Sequence, residues 1–135
     1  MSKTTHQSDR FPCVGESLIS ARETLIEALG DIENDECKFQ ILIAIGEIWQ
    51  NIIRHGANGG DETMNFWFKV HPGSKTVEII VDDDTPPSDM AHWNIADRPP
   101  EMGGMGLKMV SDIAKSYQFE MTETGNRVTL VFDIF

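Results

Sequence analysis

From Ile41 to Ile53 the apolar residues include positions 41, 42, 45, 48, 49, 52 and 53. That is the rhythm of an α-helix apolar over most of its circumference, hence largely buried. Its polar exceptions are ordered too. Glu47, Asn51 and His55 stand four apart and share one stripe of the predicted helix, with Arg54 beside it. A carboxylate and an amide on a buried helix need partners or a task. An earlier helix is predicted over Glu16 to Leu29, where Leu18, Ile19, Leu25, Ile26 and Leu29 keep the 3.6-residue period and Gly30 supplies the stop. Asn34 or Asp35 caps the second helix, which ends at Gly56 before a flexible Asn58-Gly59-Gly60 loop.

Beyond that loop the period changes to two. Residues 62 to 71 place Met64, Phe66, Phe68 and Val70 on one face, with Trp67 as the exception. Pro72 to Lys75 is turn chemistry, and Thr76 to Val81 is a β-branched strand, so the pair predicts a hairpin. A third helix is expected from Gly103 to about Ala114, with Leu107, Val110, Ile113 and Ala114 facing inward. A second hairpin, Tyr117 to Thr122 with Val128 to Phe135, turns around Thr124-Gly125-Asn126. At the other end, residues 1–10 read as disordered or extended, and Arg10 to Val14 as a short edge strand interrupted by Pro12. These elements fit one α+β two-layer sandwich over residues 11–135: a mixed, mostly antiparallel sheet with three helices on one face. Between Asp82 and Met102 periodicity stops. Four prolines, five Asp and one Glu make this long irregular segment a candidate lid.

The chain has 135 residues, 40% of them hydrophobic, which suits a single core. Its net charge of -11 disfavours nucleic acid and anionic membranes as partners. No run approaches a membrane span and the N-terminus lacks a signal-peptide core, so a cytoplasmic location is expected. Cys13 and Cys37 have no zinc-like spacing and read as reduced thiols.

Three constellations carry possible chemistry. In the first, Glu47 is placed to orient or deprotonate a nucleophile, Asn51 to ligate Mg²⁺ one turn later, and Arg54 and His55 to meet phosphates. His55 reads equally well as a residue favoured by a helix C-terminus. The second is Asp82-Asp83-Asp84-Thr85-Pro86-Pro87 at a strand end, where an Asp suits an exocyclic amine such as the N6 of adenine. An acidic solvated turn and a Ca²⁺ loop are the plainer alternatives, and EF-hand spacing is missing. The third, Gly103-Gly104-Met105-Gly106-Leu107, opens backbone N–H groups to a polyanion at a helix start, but glycines there also serve ordinary packing. It lacks the Gly-Lys-Ser/Thr ending of a P-loop. An acidic chain cannot attract ATP through its overall field, so binding calls for local positive sources: Mg²⁺, a helix N-terminus, Arg54, Arg98 or Lys108.

The ordered set Glu47-xxx-Asn51-xx-Arg54-His55, Asp83-Asp84-Thr85-Pro86-Pro87 and Gly103-Gly104-Met105-Gly106-Leu107 resembles the N, G1 and G2 boxes of the GHKL (Bergerat-fold) ATPases. Within them the chain looks most like the RsbW-type anti-sigma-factor serine/threonine kinases, whose segment between the last two boxes is also short. The resemblance covers about Phe11 to Phe135 and implies a histidine-kinase-like ATPase fold. It also implies ATP and Mg²⁺ as cofactors, with Glu47 as the base or polarising group, Asn51 as the Mg²⁺ ligand and Arg54 and His55 near the phosphates. Asp83 would bind adenine beside Thr85, and Gly103, Gly104, Met105, Gly106, Leu107 and Lys108 would surround the phosphate chain. The partners it implies are a STAS-domain antagonist as substrate, a sigma factor or other regulator held in complex, and a second copy in a homodimer. Two positions depart from the family pattern. Thr85 stands where glycine is usual, and a β-branched residue resists positive φ; Asn126 stands where many relatives have Thr. Two other functions fit the residues: a nucleotide-dependent binding module without useful catalysis, and a stand-alone histidine-kinase-type catalytic domain. The expected absence of a preceding helix with a phospho-acceptor His weighs against the last.

Overall fold

The computed structural model describes residues 5–88 and 110–134. Strands β1 (His6–Gln7) and β2 (Phe11–Cys13) lead into helices α1 (Ser17–Ala28) and α2 (Asp35–Asn51). Strands β3 (Asp61–Pro72), β4 (Thr76–Asp83), β5 (Ser116–Met121) and β6 (Asn126–Asp133) complete the sheet. Its order is β1-β3-β4-β6-β5, with β2 also paired to β3, and every described pairing is antiparallel rather than mixed. The expected α+β sandwich is therefore present. Most of the expected lid (residues 89–102) and the whole glycine run 103–108 lie outside the described residues. The third helix is described only at residues 110–113, where Val110 is fully buried as expected and Ile113 and Ala114 pack at the core's edge.

Alternation decides which sheet face meets the helices. Phe66, Phe68 and Val70 of β3, Val77, Ile79 and Val81 of β4, and Val128, Leu130 and Phe132 of β6 are all buried. They pack under Leu25 of α1 and Ile41, Ile45, Ile48 and Trp49 of α2 in one apolar cluster. Trp49 lies 5.7 Å and 5.4 Å, centroid to centroid, from Phe66 and Phe68, tilted against both rings. Trp67, the exception in the β3 pattern, points to the outer face, where the Arg10 guanidinium stacks 3.9 Å from its ring centre.

The N-terminus holds more structure than polarity alone suggests. His6 and Gln7 pair with Val70 and Lys69, and Ser8 continues the ladder through Phe68. Pairing with β3 supplies the partner that so short a segment lacks by itself. Asn34 is the α2 cap: its side chain accepts the Cys37 N–H at 3.1 Å.

Helix α2 does not run straight to Gly56. After Asn51 the backbone widens into a π-turn, Ile52–Gly56, closed by the Ala57 N–H donating to the Ile52 carbonyl at 2.9 Å. The four-residue stripe of an ideal helix therefore holds for Glu47 and Asn51 but not for His55. The loop that follows is tied down: Asn58 and Gly59 take positive φ values of 54° and 96°, and the Gly59 N–H donates to Ile53.

Candidate functional site

Three consecutive aspartates end β4, and the pleat sends them to different places. Val77, Ile79 and Val81 point at the helices, so Asp83 does too, while Asp82 and Asp84 belong to the outer face. Asp82 is engaged across the sheet by Arg127, whose Nε and Nη2 donate to its two oxygens at 2.7 Å and 3.4 Å. Asp84 accepts the Asn65 N–H at 2.6 Å and lies 3.7 Å from Arg10. Both have structural partners. Asp83, only 4% exposed, instead lines a cavity of about 260 Å³.

Side chains from three parts of the chain meet there. The π-turn contributes Ile52, His55 and Gly56; the segment after β4 contributes Thr85 and Pro86; and Asn126 enters from β6. Oδ1 of Asp83 accepts the Thr85 N–H at 3.0 Å, the Thr85 hydroxyl and the Asn126 amide at 3.1 Å. No described group donates to Oδ2, which leaves that oxygen as an acceptor for a ligand. Burial pushes the Asp83 carboxyl above the ordinary carboxylate range, opposed by the bonds from Thr85 and Asn126 and reinforced by neighbouring Asp84. The cavity is at the small end of ligand pockets, the size of a base rather than of a whole triphosphate.

The Thr85 departure is absorbed without strain. Among the described residues Asn58 is the one non-glycine with positive φ, so the expected conflict at Thr85 does not arise. Gly56 supplies the room: a Cβ there would lie 2.6 Å from the Thr85 hydroxyl oxygen and 3.0 Å from its Cβ. The threonine occupies space that a side chain at position 56 would need. Gly56→Ala is accordingly expected to destabilise the fold by about 1–3 kcal/mol through overpacking, and by clearly less in a Thr85→Gly background. A double-mutant cycle of urea unfolding measures the coupling.

On α2, Asn51 is 1% exposed and its Nδ2 donates to the Glu47 carbonyl at 2.7 Å. That bond fixes the amide's orientation, and its Oδ1 is buried with no hydrogen-bond partner among the described residues. Glu47 is half-buried one turn earlier. The oxygen chemistry and the orphaned acceptor fit a hard cation such as Mg²⁺. Among the described residues no three His, Cys, Asp or Glu side chains converge, so of these residues Asn51 is the one that would hold such an ion. Arg54 does not join His55 in the Asp83 cavity; it lines a separate one with Leu18, Gln50 and Ile53.

Sequence reasoning placed Asp83, Thr85 and His55 at one site, and the structure brings them together. It singled out Asn126 only as a departure from the family pattern, and it did not foresee the weight on Gly125 and Gly56. The Gly-Asn pair in the β5–β6 turn was the available signal, but only the fold shows what it touches.

An antiparallel sheet backed by helices, with a buried carboxylate at a strand end and an unpaired amide oxygen on the central helix, defines a nucleotide-binding sandwich of the ATPase type. The model of the histidine kinase-like ATPase domain family matches residues 16–132, and the chain belongs to that family. Among solved structures it is similar to the histidine kinase domain of the blue-light activated histidine kinase EL346 from Erythrobacter litoralis, with a TM-score of 0.60 and 12% identity. The match covers 91% of this chain but 61% of that one, so the likeness is one of fold over part of the larger protein. No curated protein sequence matches the chain.

The Asp83 geometry carries a further prediction. Asp83→Asn keeps an oxygen for the three donors at Oδ1 but places an NH₂ where Oδ2 faces the cavity. Toward a ligand that presents an exocyclic amine there, a donor would then oppose a donor, and affinity for such a ligand is expected to fall tenfold to a hundredfold, about 1.5–3 kcal/mol. Stability moves the other way. A carboxyl raised on folding stabilises in its neutral form, a contribution present below its unfolded pKa and lost as pH rises through the folded value. At neutral pH the substitution therefore removes a cost, and the unfolding midpoint is expected to stay or rise. Calorimetric titration and urea melts at pH 7 test both halves.

Proposed function

We propose that this domain binds ATP with Mg²⁺ and transfers its γ-phosphoryl group to a serine or threonine of a small partner protein, as the anti-sigma-factor partner-switching kinases do. The observation that carries the reading is the pair on α2: a half-buried carboxylate, Glu47, one turn from a buried Asn51 whose oxygen has no described partner. In this reading Asp83 accepts the adenine amine, Thr85 lines the adenine loop and Asn51 Oδ1 faces the metal. His55 and the run Gly103, Gly104, Met105, Gly106, Leu107 and Lys108 serve the phosphates, and Arg54 acts from the neighbouring cavity. Mg²⁺, if held through Asn51 Oδ1, would supply positive charge to offset the negative charge developing on the transferred group. Glu47 orients the attacking hydroxyl and receives its proton. Phosphoryl transfer asks little more of a protein than positioning, which a rigid helix–sheet scaffold supplies.

The acceptor in this reading is a STAS-domain antagonist, and the partner held in complex is a sigma factor or another regulator, with the kinase as a homodimer. The net charge of -11 favours protein partners over nucleic acid. The reading places the domain in the cytoplasm; no described helix is long and apolar enough to cross a membrane. The fold likeness to a histidine kinase domain favours a second reading, a catalytic module for an acceptor His. One assay separates them. Incubated with γ-labelled ATP and proteins co-purified from the native cell, the domain is expected to label a small partner with acid-stable phosphate. Acid-labile, base-stable label would mark a histidine acceptor instead. ATP-dependent partner binding with no label at all would identify a nucleotide-gated binding module.

A further inference from the structure

The side-chain amide of Asn126 makes two connections too far apart for one hydroxyl. Nδ2 lies 3.1 Å from Asp83 Oδ1, 3.2 Å from Thr85 Oγ1 and 3.3 Å from the Pro86 carbonyl. Oδ1 accepts the Ser88 N–H at 3.1 Å. Both ends of this 4% exposed amide are thus engaged, and it straps the last residue of β4 to the loop that follows. With the N–H and hydroxyl of Thr85, it gathers three donors on one oxygen of Asp83. The other oxygen is left for the cavity.

Building on the ATP-site reading, we infer that Asn126 sets the base specificity of the site. By holding Asp83 Oδ1 and the 85–88 loop together, it turns the carboxylate so that Oδ2 meets the exocyclic amine of adenine and opposes the keto oxygen of guanine at the same ring position. Adenine offers N6–H₂ as a donor there and guanine offers O6 as an acceptor, so a fixed lone acceptor discriminates between them. Asn126 is a positioning residue, acting on the base through Asp83. Among the described residues the titratable groups around that carboxyl are Asp84 just beyond β4, His55 on the π-turn and Cys13 on β2. Burial, chiefly, with the nearby Asp83, pushes the Cys13 thiol up to about 12. On β6, Arg127 is turned to the outer face with Asp82.

The test titrates the wild type, Asn126→Asp and Asn126→Thr with Mg-ADP and Mg-GDP from about pH 6 to about pH 8.5, where ordinary carboxylates stay ionised. Affinities are taken relative to wild type at each pH, which cancels titration of the nucleotide and of the shared neighbours. In Asn126→Asp the introduced carboxyl lies within hydrogen-bond reach of Asp83, and such a pair retains one proton well above the usual range. While protonated it donates to Asp83 Oδ1 as the amide did; once ionised it repels it. ADP affinity is expected close to wild type at the acidic end and lower by tenfold or more at the alkaline end. Asn126→Thr is expected to lose about tenfold for ADP at every pH and to narrow the preference for ADP over GDP. A flat, near-wild-type ADP profile for Asn126→Asp, or an unchanged ADP-to-GDP ratio for Asn126→Thr, would overturn the inference. If Asn126→Asp does not fold, the Asn126→Thr ratio alone decides. Failure of the wild type to bind ADP would instead overturn the ATP-site reading and this inference with it, so the two failures are distinct.

Discussion

Gly125→Ala is expected to abolish nucleotide binding and to cost the fold more than about 3 kcal/mol. A Cβ at this position would lie 1.8 Å from the carbonyl oxygen of Asp83 and 2.8 Å from both its carbonyl carbon and the Cα of Asp84. These are backbone atoms at the end of a central strand, where Asp83 is paired on both sides by β3 and β6 and the Asp84 N–H donates to the Asn65 carbonyl, and they cannot swing aside as a side chain would. Overpacking against yielding neighbours already costs 1–3 kcal/mol, so a clash with fixed backbone should cost more. Relief requires the β5–β6 turn to lift away. Asn126 then leaves Asp83, and the carboxylate loses one of its three donors. Urea unfolding and ADP titration should therefore fail together, whereas Asp83→Asn separates them. A Gly125→Ala variant with wild-type stability and affinity would show that the turn does not approach β4 as described.

Glu47→Gln should have the opposite character, harming chemistry alone. Gln preserves the size of Glu and one of its acceptor oxygens, and the carbonyl that holds the Asn51 amide is backbone, untouched by the change. Nucleotide affinity is expected to stay within a few-fold of wild type. What disappears is a carboxylate able to take the hydroxyl proton, a contribution typically worth 10² or more in rate. Phosphoryl transfer should fall by at least about that factor in single-turnover measurements, with the unfolding midpoint unmoved. Asn51→Ala makes a useful contrast, since removing its oxygen should weaken Mg-ATP binding as well as transfer. Retention of near-wild-type transfer by Glu47→Gln would falsify its assignment as the base.

How much of this was legible beforehand depends on how far apart the interacting residues lie in the chain. Alternation over Val77, Ile79 and Val81 carries the inward parity on to Asp83, so the choice among three aspartates needs no tertiary information. The burial of α2 and the pairing of Glu47 with Asn51 follow from helical periodicity alone. The π-turn does not, because Ile48, Ile52 and Ile53 satisfy the apolar stripe of an α-helix whether or not the backbone widens after Asn51. His55 consequently leaves the stripe that periodicity assigned to it. The two-residue strand β1 was equally hidden, since its order comes from the edge of β3, more than 60 residues away.

The sequence by itself determined the order of the main elements, the faces buried by α2, β3, β4 and β6 and the residue types at the site, because these rest on local periods of 3.6 and 2 and on turn chemistry. On α1, by contrast, the expected Ile19 and Ile26 are 70% and 46% exposed and Ala21 and Ala28 are buried instead. Tertiary structure decided what those residues do to one another. Whether Thr85 is strained depends on the missing side chain of Gly56, 29 positions earlier, and the aim of Asp83 depends on an amide 43 positions later. Close approach and hydrogen bonding act at contact distance, and only the folded sheet brings β4, β6 and the end of α2 within it.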